Sequence, residues 1–390
     1  MTAVIVLFWV FVALAVYPYL IYPTLILFAS ILFPRRTRTG PMQPSVSIVI
    51  AARNEEANIR ERVQNAVAMD YPRDRLEVII ASDGSTDRTN AIVQEMSAQD
   101  GRVRLLELPH GGQSAAINAA VAAATGDIVV RTDANTRFSP DVLRKMIMYF
   151  ADPEVQCVVG KITMVPLEDA PYNMTEGLYW RFEARLRALE ALVGVAFVGS
   201  GPCMAVRRKS YPQLKNDEGE DLSATLQIIS GGGRIVQVSD LGAYDYMDGR
   251  TAGQVRCRSR RVTTALRAIW NNRAILNPFR YPQYCFSVLS HKVLRWLTGV
   301  WLLGAAVTNA VLMIHTQALL YDALFYLQAA FYLVALAGLL LSHTEVAKVP
   351  VFAIPMSILV VSAAFIKGVA AFLLGSRLTR WEPAGSAQGK

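Results

Sequence analysis

Between Ala3 and Phe33 the chain carries no charged residue. A helix needs roughly 20 apolar residues to cross a bilayer core, so this run is long enough to span. No basic segment precedes it, and it is longer than the apolar part of a secretory signal, so it is expected to be retained rather than cleaved. Pro18 and Pro23 are expected to kink it or to shorten its regular part. Arg35, Arg36 and Arg38 follow at once. The positive-inside rule then places the residues after 34 in the cytoplasm.

Three further apolar runs lie near the other end: Leu297–Ile314, Ala323–Leu341 and Val349–Leu374. Together these ends account for a chain that is 53% hydrophobic, more than a soluble domain usually is. The last run contains Lys367. A lysine at mid-bilayer costs about 3 kcal/mol, so it either snorkels or the span stops near Phe365. Ser287–Leu297 alternates apolar and basic residues around Trp296, as an interfacial amphipathic helix does. The formal charge is +8, and the arginines cluster beside the apolar runs. Attraction to anionic lipid headgroups explains this more simply than nucleic acid does. Cys157, Cys203, Cys257 and Cys285 have no zinc spacing and are expected to be reduced thiols. The reading divides the chain into an N-terminal transmembrane helix (1–34), a cytoplasmic catalytic domain (44–285), an interfacial helix with about three spans (286–376) and a tail (377–390).

The middle of the chain alternates short apolar runs with helix-like stretches. Val46–Ala51, Val78–Ala81, Val103–Leu106 and Ile128–Val130 are separated by Ala57–Met69, Thr86–Gln99 and Ser114–Ala124, and Asp141–Phe150 follows. That pattern predicts an α/β fold with a mostly parallel sheet covered on both faces. Ligands bind such sheets beyond the carboxyl ends of the strands. Polar clusters fall at those ends: Arg53-Asn54-Glu55-Glu56, Asp83-Gly84-Ser85-Thr86-Asp87 and Asp133-Ala134-Asn135. Each has an ordinary alternative. D-G-S-T-D also reads as a turn in which Ser85 or Thr86 caps the next helix, and Asn54-Glu55-Glu56 as a solvated helix start. Tyr172–Leu192, with Tyr179, Trp180 and Phe182 among Arg181, Arg185 and Arg187, reads by default as a surface-packing helix.

Six blocks in order resemble the membrane-integrated family 2 glycosyltransferases. They are V-S-I-V-I-A-A-R-N-E-E (46–56), A-S-D-G-S-T-D (81–87), G-G-Q-S-A-A-I-N (111–118), T-D-A-N-T (132–136), G-S-G-P-C (199–203) and G-E-D-L (219–222). The resemblance extends to bacterial synthases of the chitin, hyaluronan and poly-N-acetylglucosamine type. It implies a glycosyltransferase A-type nucleotide-sugar-binding domain, a nucleotide-diphosphate sugar donor (a UDP-sugar in particular) and Mg2+ or Mn2+. By the same resemblance Asp83 holds the nucleoside, with Glu55 and the backbone near Ala51 in the same pocket. Asp133 binds metal and diphosphate with Asn135 beside it, and Asp221 is the general base. Gly201, Pro202, Cys203 and Glu220 meet the acceptor, which is lipid-linked or a growing polysaccharide.

Physical chemistry agrees with these roles. A hard cation takes oxygen ligands and needs only one or two protein groups beside a diphosphate, and an acceptor hydroxyl needs a carboxylate to take its proton. Asp221 lies in D-E-G-E-D-L, either a solvated charge run or a crowd of acids that raises one carboxyl. Two positions depart from the family pattern. Asn135 stands where many members have a second acid. R-S-R-R-V (258–262) stands where polymerising members have Q-x-x-R-W. The missing Gln and Trp point away from processive synthesis, while Arg260 and Arg261 are left able to fork onto a diphosphate. The leading expectation is an inverting, metal-dependent enzyme of the inner membrane that makes a surface glycan by transfer to a lipid-linked acceptor. A processive, exporting synthase and a non-catalytic membrane scaffold are the alternatives. A dinucleotide-binding domain is excluded because no G-x-G-x-x-G follows the first strand.

Overall fold

The structure is a computed structural model that describes residues 1–166, 174–247, 251–342 and 344–376. Tyr172 and the expected tail lie outside the described residues. The chain opens with α1 (Thr2–Val16) and α2 (Tyr22–Leu32), joined through a π-helical turn at Tyr17–Ile21. Pro18 and Pro23 cannot donate to the preceding turn. The wider turn takes up Pro18, Pro23 falls in the first turn of α2, and the helix runs on instead of breaking.

One eight-stranded sheet follows, built from β1 (Val46–Ala52), β2 (Leu76–Asp83), β3 (Val103–Leu108), β4 (Ile128–Asp133), β5 (Arg137–Phe138), β6 (Val155–Pro166), β7 (Met204–Arg207) and β8 (Arg234–Met247), in the order β3-β2-β1-β4-β7-β6-β8-β5. The first four strands in that order are parallel. β7 runs antiparallel to both β4 and β6, β8 parallel to β6, and β5 antiparallel to β8.

Helices α3 (Ile59–Val67), α4 (Thr89–Gln99) and α6 (Val142–Ile147) cover one face, and α5 (Gln113–Ala123) and α8 (Glu220–Ser230) the other. Side chains alternate across a strand. Ile48, Ile50, Val78 and Ile80 therefore pack with Ile59, Val63 and Val93, whereas Val49, Ile79 and Val129 pack with Ala116 and Ala120. Each fully buried Val or Ile here contributes about 2 kcal/mol relative to exposure. The register pairs Ala51 with both Ala81 and Asp133, so the ends of β1, β2 and β4 lie side by side.

The remaining helices are α7 (Met174–Val193), α9 (Thr251–Asn271), α10 (Pro282–Val288), α11 (Leu294–Trp296), α12 (Thr298–His315), α13 (Leu319–Leu340) and α14 (Pro350–Leu373). Among the described residues, four helical segments are long and apolar enough to cross a membrane: Thr2–Leu32, α12, α13 and α14. α14 runs unbroken past the exposed Lys367, which lies six residues, about 9 Å, from its end. α9 lies against it at Gly368, whose carbonyl accepts from Thr263 at 2.9 Å. A Cβ on Gly368 would come within 2.7 Å of the Ser259 carbonyl.

The stretch 287–297 differs from its sequence reading. Its basic residues His291, Lys292 and Arg295 are buried. The cause is α7, whose Glu183 and Glu190 stand two turns apart facing them. Glu183 meets Lys292 at 2.8 Å, Arg295 at 2.7 Å and His291 Nε2 at 3.1 Å, and Glu190 meets His291 Nδ1 at 2.8 Å.

Candidate active site

The loops beyond β1 and β2 are tied to each other. Asn54 takes a left-handed conformation, φ 54°, which Asn tolerates better than most residues. Its Oδ1 accepts from the Thr86 N–H at 2.8 Å, and its own N–H donates to Ser85 Oγ at 3.2 Å. Glu55 N–H donates to Thr89 Oγ1 at 2.9 Å and Glu56 N–H to Asp87 at 3.0 Å. The first turn of α4 is met by Asp87, through the Thr89 N–H at 3.0 Å, and not by Ser85 or Thr86. Most of D-G-S-T-D is therefore architecture. Burial raises the carboxyl of Glu55, which Asn58 contacts at 2.9 Å.

Asp83 is 3% exposed, and the loop before α5 surrounds it. Its carboxylate accepts from the N–H of Gly111 at 2.7 Å, from that of Gly112 at 3.0 and 3.1 Å, and from His110 Nδ1 at 2.9 Å. Arg53 Nη1 lies 2.8 Å from His110 Nε2. Since arginine only donates, Nε2 accepts and Nδ1 carries the proton towards Asp83. These contacts fill the carboxylate, so a nucleoside reaches Asp83 only by displacing part of this loop. Gly112 is required here by its φ of +92°.

β4 ends at Asp133, and Asn135 follows two residues later; both are half-buried. Two buried arginines flank this strand end. Arg62 donates to Thr132 at 3.2 Å, and burial pushes its guanidinium down to about 9. Arg131, 3% exposed, lies 2.9 Å from Asp221 Oδ1 and 3.2 Å from Glu220 Oε2, both in the first turn of α8. Carboxylates are favoured at a helix N-terminus by the dipole. The Asp221 side chain is 40% exposed. Glu220 has both carboxyl oxygens engaged, because Ser114 Oγ donates to the other at 2.8 Å. Its carboxyl is raised first by burial and also by Asp221 beside it.

Glu218, another acid of D-E-G-E-D-L, faces away, towards α9. Asn271 donates to Glu218 at 2.7 Å, and Gly219 N–H donates to the Thr264 carbonyl at 3.1 Å. The run is thus neither solvated nor uniformly crowded. Gly199 and Gly201 lie so close to α8 that a Cβ would stand 2.4 Å from the Asp221 carbonyl and 2.5 Å from its Oδ1 respectively.

Of the expected acceptor residues, Gly201 abuts Asp221 and Pro202 is half-buried. Cys203 does not face the site. It is fully buried with Sγ 3.9 Å from Met146 Sδ, and burial pushes its thiol up to about 12. It opens the run into β7 and points into the core. Ala51 packs beside the α5 face. Arg260 is half-buried and Arg261 exposed on α9; among the described residues neither guanidinium is hydrogen-bonded or ion-paired to protein. Sequence reasoning missed Arg131, Ser114 and His110. Arg131 alone carried a signal, an arginine inside an apolar strand two residues before Asp133. Among the described residues no three His, Cys, Asp or Glu side chains form a group that could hold a metal. Any cation at Asp133 and Asn135 would depend on ligand oxygens as well.

Residues 47–214 match the family described as Glycosyl transferase family 2. This segment is a family 2 glycosyltransferase domain. A β-monoglucosyldiacylglycerol synthase of Synechocystis is 42% identical to the chain over 113 residues, 28% of this chain and 24% of that protein. An N-acetylglucosaminyltransferase of Rhizobium meliloti is 28% identical over 218 residues, 52% of this chain and 51% of that one. The chain thus spans about half or less of the length of these relatives. Among solved structures, a mannosyltransferase from Pyrobaculum calidifontis in complex with GDP-Man and Mn2+ superposes with a TM-score of 0.70 at 22% identity, covering 95% of this chain and 99% of that one. The family 2 domain therefore has the nucleotide-sugar-binding fold of glycosyltransferase A type.

Proposed function

We propose that the chain is an inverting, metal-dependent membrane glycosyltransferase that moves a sugar from a nucleotide-diphosphate sugar to a lipid-linked glycan acceptor. The observation carrying this reading is the half-exposed Asp221 carboxylate, held by Arg131 at the same strand end that presents Asp133. The relatives' names support it, pairing glycolipid synthesis with N-acetylglucosaminyl transfer, and so does a fold neighbour solved with GDP-Man and Mn2+. Asp133 and Asn135 would hold Mg2+ or Mn2+, which when bound would neutralise the leaving diphosphate.

Asp221 takes the proton of the acceptor hydroxyl while its oxygen attacks the anomeric carbon. The bond to the diphosphate breaks through an oxocarbenium-like transition state, and the anomeric configuration inverts. Arg260 and Arg261, on a helix packed against α14, suit the phosphate of a donor or lipid-linked substrate. The four candidate spans, with Arg35, Arg36 and Arg38 after the first, support an inner-membrane protein whose domain faces the cytoplasm. A UDP-sugar is the expected donor. The absence of Gln and Trp within residues 258–262 favours single transfer over polymerisation.

The test is turnover of labelled nucleotide sugars in detergent with Mg2+ or Mn2+, followed by sizing of the product. Asp221→Asn and Asp133→Asn are each expected to lower transfer by about 10²–10⁴-fold. Equal turnover by wild type and both variants would mean that these carboxylates do no chemistry. A long polymer in place of a one-sugar product would overturn single transfer.

A further inference from the structure

Arg131 occupies a position that an apolar strand does not explain. It lies in β4 between residues that pack fully in the core, and a guanidinium buried there is costly unless it is paired. Its two carboxylate partners come from another element, the first turn of α8. The planar fork reaches both, Nη2 to Glu220 and Nη1 to Asp221. The two acids differ in what else they do. Glu220 is fixed on its other side by Ser114 from α5, so it braces the arginine. Among the described residues, Asp221 is held on one side only. The 2.9 Å contact is a charge contact without good hydrogen-bond geometry: Arg131 Nη1 and Asp221 Oδ1 both lack a directional partner, as does the buried Tyr211 hydroxyl. Gly201 supplies a second, independent sign that the pair is built. A Cβ there would come within 2.5 Å of Asp221 Oδ1 and 2.9 Å of Arg131 Nη2, so any side chain at 201 would force the two apart.

We infer that Arg131 is a positioning residue for the transfer reaction: braced by Glu220 and Ser114, it holds one oxygen of Asp221 so that the other faces the acceptor hydroxyl, in space kept open by Gly201. This rests on Asp221 being the base. Because Arg131 acts on the acceptor side, its removal should cost turnover and leave donor binding intact.

The experiment measures kcat and the donor KM of the full-length chain in detergent for wild type, Arg131→Met, Arg131→Lys, Gly201→Ala and Asp221→Asn. Arg131→Met is expected to lose about 10²-fold in kcat, the scale on which misplaced catalytic groups act, with donor KM within about twofold. Arg131→Lys, which keeps the charge but not the fork, should recover part of the loss. Gly201→Ala should lose kcat with the arginine still present. If Arg131→Met does not fold, the lysine and alanine variants decide. Wild-type kcat in both Gly201→Ala and Arg131→Lys, or a loss confined to donor KM, overturns the inference. Asp221→Asn separates the two readings. If it is inactive while the Arg131 and Gly201 variants turn over normally, only the positioning role fails; if it is active, the base assignment has failed first.

Discussion

At the scale of single residues, the site depends on how completely each carboxylate is already occupied. Asp83, Glu220 and Asp221 all lie near the carboxyl ends of the central strands, yet of these three, among the described residues, only Asp221 keeps an oxygen open. Motif spacing brought all three to attention but could not rank them, because occupancy is set by partners far along the chain. Gly112 offers a direct test of the loop on Asp83. Its φ of +92° and ψ of 163° suit glycine alone, and an added Cβ would lie 3.3 Å from Asn216 Oδ1. Gly112→Ala should store about 1–3 kcal/mol of backbone strain and shift the loop. Donor KM should change several-fold, and the thermal midpoint should fall by a few degrees. An unchanged KM would separate this loop from donor binding.

At the scale of elements, α7 and the segment from α10 to α11 form a buried electrostatic joint. Burial raises the Glu183 carboxyl, but Arg295, Lys292, His291 and Arg187 together hold it well below the usual carboxylate range. Burial also pushes Lys292 down to about 8. Removing one partner of such a cluster leaves charges buried without compensation, at about 3–5 kcal/mol. Glu183→Gln should therefore lower the thermal midpoint in detergent clearly at pH 7. A carboxyl whose folded value is depressed contributes stability above its unfolded value, about 4.3, and loses it as pH falls through the folded value. The gap between wild type and Glu183→Gln is therefore expected to be full at pH 7 and to shrink below about pH 4. A gap that grows on acidification would contradict this account. The alternation of basic and apolar residues around Trp296 was legible as a pattern. Its facing was not, because the two glutamates that turn it inward lie about 100 residues earlier.

At the scale of the whole molecule, the sheet and the apolar helices share a core. Leu222, Ala224 and Val262 pack in one cluster with Trp296 and Phe365. A chain ended at residue 285, where composition suggests a boundary, would strip Glu183 of His291, Lys292 and Arg295 and expose that cluster. Such a truncation is expected to aggregate without detergent and to unfold well below the full-length chain; a monomeric, cooperatively unfolding product would refute the shared core. The sequence by itself determined the apolar segments long enough to span, the strand–helix alternation of the first four strands, and the placing of Asp83 and Asp133 at strand ends. Each follows from local periodicity or from a single connection. Only the tertiary structure decided that β7 inserts antiparallel between β4 and β6, that Cys203 points inward, and that Arg131 meets acids 89 and 90 residues away. Those outcomes depend on which distant elements pack together, and nothing within a short window of sequence encodes that choice.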